Sequence, residues 1–572
     1  GVLFTNGTGT GKTYLGLGIA KRMVRQGKSN GLIVVPNDKM VEDWTDSAKN
    51  LGLTVRALDG VKDPGKGIAV TTYANFGQNL TLADRPIDWV ITDESHNLMQ
   101  NAQATDTESL NALQAITLHP DGIFDRARML HRDLRASLDQ AQVNYTALSK
   151  ARKGMTDAAE LKANGIATEA AKTRLDAILA EWAAKVAEVK AHIAAHQGKD
   201  RPRVVMLSAT PFAYEKNVSL AAGYLYQLGE QNTSGGYNTP SPMGAFMIQH
   251  FGYRMRYGKL TTPDANVDSG LMQRQFNTYL RKEGVLSARI LDVDYDYDRK
   301  FVLIPSAIGR KIDEGLEYLR EEDSGRYYPL YEAAQKKFDY LSRLRLLEAL
   351  KAEAAVSYIK EHHALGRKVV VFHDYNDGGA FNPFSFSQVA DDNVVTSRVK
   401  NAETGAAETA TVKVNDLINE FNAKRPDLAD INLNGYSNPI ATLTRAFPDA
   451  MQFNGRIPKK ERRQNIQQFN DDSNPHANLL IVQSAANAGW SGHDTTGKHQ
   501  RVVLNLGLPT APTKAIQQEG RIYRVGQASD ALFRYMNTGT SWERMAFAST
   551  IARRASAAEN MAMGEQARGL LD

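Results

Sequence analysis

The stretch Phe4-Thr5-Asn6-Gly7-Thr8-Gly9-Thr10-Gly11-Lys12-Thr13 alternates glycines with small residues and ends in Lys-Thr. Glycines let a backbone take positive φ and turn successive N–H groups onto an anion, and a helix N-terminus behind them adds its dipole. In such a loop Gly7, Thr8, Gly9, Thr10 and Gly11 would cradle phosphates. Lys12 would reach the β- and γ-phosphates of a nucleotide such as ATP, and the Thr13 hydroxyl would bind Mg2+. The flanks agree, because Val2-Leu3-Phe4 reads as a strand and Leu15, Leu17, Ile19 and Ala20 as the apolar side of a helix. Asn6 stands where the general pattern G-x-x-x-x-G-K-[ST] begins with glycine. A glycine-rich turn that only caps a helix is the plainer alternative.

A second group able to do chemistry is Asp93-Glu94-Ser95-His96, which follows the apolar run Trp89-Val90-Ile91-Thr92. Adjacent acids at a strand end suit a phosphate site, where the first carboxylate, Asp93, holds Mg2+ and the second, Glu94, orients and deprotonates water. Ser208-Ala209-Thr210 closes another apolar run, Val204-Val205-Met206-Leu207, and two hydroxyls beside the acids would couple the site to a neighbouring domain. Far along the chain, Gln517-Gln518-Glu519-Gly520-Arg521-Ile522-Tyr523-Arg524-Val525-Gly526-Gln527 sets Arg521 and Arg524 three apart, a spacing that predicts one shared helix face. Two arginines on an exposed helix face are usually solvated charge.

Positioning these groups takes an α/β framework. Buried, β-branched runs at 31–35, 68–73, 89–92, 204–207, 368–373, 451–455, 478–482 and 501–506 alternate with helical patterns, as parallel strands flanked by helices do. Residues 101–200 interrupt that rhythm with two apolar stripes, Leu130 to Leu148 and Leu175 to Ile193, which predict an inserted antiparallel helical hairpin between about Phe124 and Ala195. Trp44 reads as a packing residue. The region 216–340 reads as a helical connector, its Tyr/Asp run before Arg299 being either a solvated strand or a site, and 374–450 as an irregular insertion. His362, His363, His476 and His493 show no metal-ligand spacing.

Composition sets outer limits. A chain of 572 residues has material for several cores, with a length prior of about four domains. Its 69 Lys+Arg against 64 Asp+Glu leave a net charge of +5, too small to argue for nucleic acid and no obstacle to a local basic groove. Cysteine is absent, which excludes disulfides, thiolate zinc sites and cysteine nucleophiles. No run of eighteen apolar residues suggests a membrane span. With no initiator Met and a start inside the first strand, the chain is expected to be part of a longer polypeptide.

Taken in order, NGTGTGKT, VVPND, TTY, DESH and LSATPF resemble motifs I, Ia, Ib, II and III of superfamily 2 helicases. The small-residue turn from Gln483 to Gly492 looks like motif V, and Gln517–Gln527 like motif VI. The resemblance implies two RecA-like P-loop NTPase domains, 1–215 and 341–572, joined by 216–340, with ATP clamped between them and DNA, or RNA, across them. It also implies roles. Lys12, Glu94, Gln517, Arg521 and Arg524 would be catalytic, the two arginines as fingers on the γ-phosphate; Thr13 and Asp93 would hold Mg2+ and Gly489 would contact nucleotide. Ser208 and Thr210 would couple, while Pro36, Thr72, Tyr73, Asn454 and Gly455 would meet nucleic acid. RKEGVLSAR with the run to Arg299, and Glu543-Arg544-Met545-Ala546-Phe547-Ala548 ahead of Arg553-Arg554, are similar to strawberry notch-type helicases of phage and mobile-element proteins, which implies a cytoplasmic setting in a bacterial or phage-infected cell. In that family the adenine-reading segment lies upstream of motif I. A P-loop kinase, a DNA-stimulated ATPase without strand separation and a degenerate scaffold are the competing readings.

Overall fold

A computed structural model of the chain describes residues 1–6, 11–58, 65–99, 108–288, 295–379, 381–436, 438–484, 489–507, 512–546 and 552–563. Gly7, Thr8, Gly9 and Thr10 of the phosphate loop, Arg289, and residues 485–488 of the motif V turn lie outside the described residues. The chain divides into two compact units, the first running from Gly1 to Ile290 and resuming at Ala557, the second spanning Leu291–Ser556.

The first unit is built on strands β1 (Val2–Phe4), β2 (Gly31–Val35), β3 (Val55–Ala57), β4 (Ile68–Thr72), β5 (Trp89–Asp93) and β6 (Arg203–Leu207), followed by β7 (Arg254–Arg256), β8 (Lys259–Thr261) and β9 (Leu286–Ser287). All but β7 and β8 form one seven-stranded sheet in the order β3-β4-β2-β5-β6-β1-β9. Every pairing in it is parallel. Helices α1 (Lys12–Arg25), α2 (Asp38–Asn50) and α3 (Tyr73–Gln78) serve as crossovers. Central strands covered on both faces must be apolar throughout, and β2 is buried at all five positions. One face packs Leu17, Ala20, Trp44 and Ala48 of α1 and α2 over Ile33, Val35 and Ile91.

The expected hairpin is present but rooted differently. Helices Glu108–Ile116 and Ile123–Leu130 send Leu113, Ala115, Ile116 and Met129 into the main core. Arg132–Ala151 and the first part of Ala158–Ala195 form the hairpin, while Val189 and Ile193 near the end of the longer helix pack on Leu118 and Ala127. Leu138, Ala141 and Leu175 interlock with Tyr145, Ile178 and Trp182. Asn164 sits inside the longer helix and donates from Nδ2 to the Leu148 carbonyl at 3.1 Å.

The stretch read as a connector is shared out. Tyr224, Tyr226, Phe246, Phe251, Phe276 and Leu280 join the first unit's core, together with Ala557 and Met561 of the C-terminal helix Ala552–Met563. That helix is fixed by Thr5 Oγ1 donating to the Ala562 carbonyl at 2.6 Å and by Asn277 Nδ2 donating to the Met561 carbonyl at 2.8 Å.

The second unit carries β10 (Tyr297–Leu303), β11 (Lys368–His373), β12 (Val394–Lys400), β13 (Ala407–Lys413), β14 (Met451–Phe453), β15 (Leu479–Gln483), β16 (Arg501–Asn505) and β17 (Ala531–Asn537). Six of these form a parallel sheet in the order β10-β17-β16-β11-β15-β14, so the Tyr/Asp run leads into an edge strand. The described residues of 374–450 hold regular elements rather than an irregular insertion. The antiparallel pair β12-β13 and helices Val414–Lys424 and Pro439–Ala446 fill much of the stretch. Leu417, Ile418 and Phe421 share a core with Leu316, Leu346 and Trp542. These elements escape periodicity because they are short and pack on segments distant in sequence.

Glu543, one of the residues carrying the strawberry notch resemblance, forms a fully buried ion pair with Lys351 of the helix Tyr340–Ala364. Its other oxygen accepts the Thr538 backbone N–H at 2.7 Å. Removing either partner strands the other charge in the core, so Lys351→Ala and Glu543→Ala should each cost the second unit about 3–5 kcal/mol in a urea melt. Loss of less than about 1 kcal/mol would show the pair to be solvated.

Candidate active site

Motif residues of the first unit gather where an open parallel sheet accepts ligands, at the carboxyl ends of its strands. Gly11 adopts φ 77°, a left-handed conformation that favours glycine, and among the described residues no side chain caps the helix α1 that follows. The N-terminus of a fourteen-residue helix is a place where an anion can bind. Lys12 Nζ stands 3.4 Å from Glu94 Oε1, both side chains being largely buried. Glu94 itself takes φ 49° at the end of β5, an unusual conformation for a non-glycine residue that points to function. Its second oxygen lies 3.3 Å from His96 Nδ1, and the same ring nitrogen lies 3.3 Å from Ser208 Oγ. Ser208 Oγ in turn accepts the Thr210 backbone N–H at 3.2 Å, so the Ser208 hydroxyl lies next to the acids by way of His96 and Thr210 joins it through its backbone.

Asp93 is held from three directions. Trp44 Nε1 donates to its Oδ2 at 2.9 Å, the Glu94 N–H donates to its Oδ1 at 2.9 Å, and Tyr73 Oη donates to its backbone carbonyl at 2.6 Å. Trp44 is thus more than packing. It comes this close because α1 carries glycine at Gly16, where a Cβ would lie 2.5 Å from the indole ring. Burial and then the charge of Glu94 push Asp93 up to about 6, against the opposing pull of Lys12. A carboxylate in that condition is short of positive charge. The hard oxygens of Asp93 and the Thr13 hydroxyl, on a helix beside it, are the donor type Mg2+ prefers. Among the described residues no cluster of three His, Asp or Glu forms a protein-only metal cage.

The second unit presents its own cluster, and one expectation fails there. The helix Pro512–Glu519 ends before either arginine, so Arg521 and Arg524 do not share a helix face. Gly520 follows the last helical residue, and the chain turns on bonds from Arg521 N to the Gln518 carbonyl and from Tyr523 N to the Glu519 carbonyl. Arg521 Nη1 donates to the Trp490 carbonyl at 3.2 Å, tying this turn to that of motif V, in which Gly489 takes φ 83°. The Arg524 backbone N–H donates to Gln527 Oε1 at 3.0 Å, and burial lowers its guanidinium pKa while leaving it charged. Gln517 is half-buried on the helix. Gln518 Nε2 donates to Ser484 Oγ at 2.7 Å and its Oε1 accepts from Asn505 Nδ2 at 2.7 Å, which joins the ends of β15 and β16. Sequence reasoning missed the clamp beneath them. Arg299 of β10 grips Glu519 with two bonds, at 2.9 and 2.8 Å, and Tyr535 Oη adds a third at 2.6 Å.

The expected nucleic-acid contacts fare unevenly. Pro36 is half-buried after β2 and Gly455 is exposed after β14. Thr72 caps α3, accepting the Asn75 N–H at 3.3 Å. Two expectations are corrected. Tyr73 is buried beneath the acids, and Asn454 is buried with its Oδ1 on the Arg456 N–H of its own turn, because a small polar side chain at a strand end satisfies the local backbone first.

At the carboxyl end of β11, Glu348 accepts the N–H groups of Asp374 and Tyr375 at 2.9 and 2.8 Å, 3.8 Å from His373. Burial, helped by the charge of Asp374, pushes Glu348 up to about 8, and burial takes His373 down to about 4. Folded Glu348 keeps a proton that the unfolded chain releases near 4.5, so its contribution is present at low pH and lost as pH rises to about 8. The His373 contribution has the opposite sign and is complete above 6.5. Unfolding free energy of the second unit should therefore fall by on the order of 2 kcal/mol between pH 6.5 and 8. Urea titrations across that range should find the slope gone in Glu348→Gln.

Residues 1–119 match the family described as the res subunit of type III restriction enzymes, and residues 449–568 match the C-terminal domain of strawberry notch homologues. No curated protein matches the chain. Solved structures that align with it include the Sulfolobus solfataricus SWI2/SNF2 ATPase core in complex with dsDNA, at 12% identity over 94% of this chain and 83% of that one, TM-score 0.28. The DUF1998 helicase MrfA bound to DNA and AMPPNP aligns at 10% identity over 95% of this chain and 47% of its own, TM-score 0.38. S. cerevisiae Dbp5 bound to RNA and ADP BeF3 aligns at 11% over 97% and 82%, TM-score 0.35. The first matched segment holds the phosphate loop and the paired acids and the second the motif VI arginines, so the groups able to do phosphate chemistry fall inside the two stretches that are similar to these families.

Proposed function

We propose that the chain is an ATP-dependent DNA helicase or translocase that hydrolyses ATP with residues from both units and uses the cycle to move along or remodel nucleic acid. The observation that carries this reading is the 3.4 Å approach of Lys12 to Glu94 beside a buried Asp93 that Trp44 holds in place. Lys12 would neutralise the transferring phosphate, and Glu94 would orient water and take its proton. Bound Mg2+, held by Thr13 and Asp93, would neutralise charge between the β- and γ-phosphates. Arg521 and Arg524 would add charge at the γ-phosphate during turnover. Retention of all these groups argues against a degenerate scaffold, and the second cluster around Arg524 has no use in a P-loop kinase.

ATP turnover measured with no nucleic acid, with single-stranded and duplex DNA and with RNA tests the proposal. Stimulation by DNA is expected. No turnover under any condition would leave the scaffold, and stimulation without displacement of an annealed strand would leave a translocating ATPase.

A further inference from the structure

The first unit carries a small antiparallel hairpin, β7-β8, whose tip is Tyr257-Gly258. Both tip residues are left-handed, at φ 50° and 71°, the arrangement of a two-residue hairpin turn for which Asn-Gly or Asp-Gly is favoured. Tyrosine is a poor choice in that conformation, and no burial compensates, since Tyr257 is 85% exposed. The tip is nevertheless braced. Tyr237, itself 78% exposed, donates from Oη to the Tyr257 carbonyl at 2.7 Å. The Gly258 N–H donates to Asn238 Oδ1 at 2.9 Å, and a Cβ on Gly258 would lie 2.8 Å from the Tyr237 ring. At the base, Tyr253 is buried in the core. Two aromatic faces are thus held in solvent on a fixed support.

The charge around them is net positive. Between Arg254 and Thr261 the hairpin has Arg254, Arg256 and Lys259 and no carboxylate. Asp264, which pairs with both arginines, is a single negative charge against three positive ones. Exposed rings beside cations, with little aliphatic surface around them, suit a strand offering unpaired bases and phosphates together.

We propose that the β7-β8 hairpin is a stacking post for unpaired nucleobases, Tyr257 and Tyr237 taking base faces while Arg256 and Lys259 take the backbone. This rests on the nucleic-acid reading above and places a contact that none of the helicase motifs supplies. Strain at Tyr257 makes the test clean, because Tyr257→Asn removes the ring and relaxes the turn. The full chain should be titrated with a fluorescein-labelled twenty-nucleotide oligodeoxythymidylate and with a duplex of equal length, and with a single strand carrying 2-aminopurine.

Tyr257→Asn should weaken single-strand binding by about 5- to 150-fold, the range expected for one stacked base, with unchanged or raised melting temperature and normal turnover in the absence of nucleic acid. Tyr257→Trp should bind as wild type and keep the 2-aminopurine quench. The salt dependence of affinity should be preserved in Tyr257→Asn and shallower in Arg256→Ala, since only the latter removes a phosphate contact. Equal single-strand affinity in wild type and Tyr257→Asn, or an equal loss on single strand and duplex, overturns the stacking post. Wild-type chain that binds no oligonucleotide overturns the nucleic-acid reading as well, and the two failures are told apart by the wild type alone.

Discussion

In a Glu94→Gln variant, ATP turnover should fall by about 10²–10⁴-fold, the usual contribution of a positioned general base, while ATP affinity stays within a few-fold of wild type. Glutamine keeps the length and shape of the side chain and can still accept from Lys12 and face His96, so the fold at the end of β5 should be retained. What it lacks is basicity toward water. Lys12→Ala should differ in kind, losing affinity along with turnover, because it deletes positive charge that faces the phosphates in ground and transition states alike. Single-turnover hydrolysis and nucleotide titration of the two variants side by side are the check. Near-normal turnover in Glu94→Gln would place the base elsewhere.

Arg524→Ala should lose about 10³–10⁵-fold in stimulated turnover, as expected for loss of an arginine finger. Phosphate-loop residues and acids belong to the first unit and Arg524 to the second, so nucleotide affinity should change little. The paired variant, Arg521→Ala, is less clean. Arg521 also bonds the Trp490 carbonyl, so its loss should disturb the motif V turn and reduce stability as well as rate. ATP affinity, DNA affinity and DNA-stimulated turnover measured together decide the matter. If Arg524→Ala keeps full stimulated turnover, hydrolysis needs the first unit only and the two-unit reaction is wrong.

Much of this was legible in the residues because phosphate chemistry limits which side chains can appear and in what order. Gly11, Lys12, Asp93 and Glu94 needed no fold to be found, and apolar runs marked the central strands that carry them. Supports were harder to see. Trp44 reaches Asp93 only because Gly16, on a different helix, leaves room for its ring, and Arg299 finds Glu519 only once β10 has paired with β17. Neither relation has a local signature. The error over Arg521 and Arg524 came from carrying helical spacing across Gly520, a residue that the pattern itself contained and that ends the helix. Tyr73 and Asn454 follow strand ends, where side chains serve the protein's own backbone as readily as a ligand.

The C-terminal helix that bonds Thr5 and Asn277 bears on the order in which the protein is made. The sheet of the first unit is synthesised early, yet the helix that buries against it, through Ala557 and Met561, emerges from the ribosome only after the whole of the second unit. Until then Thr5 and Asn277, both buried in the finished protein, face water or whatever holds the nascent chain. The nucleotide-binding half, begun first, is therefore the half completed last, and a polypeptide interrupted anywhere before Ala557 carries every phosphate-loop residue on a core that has not closed.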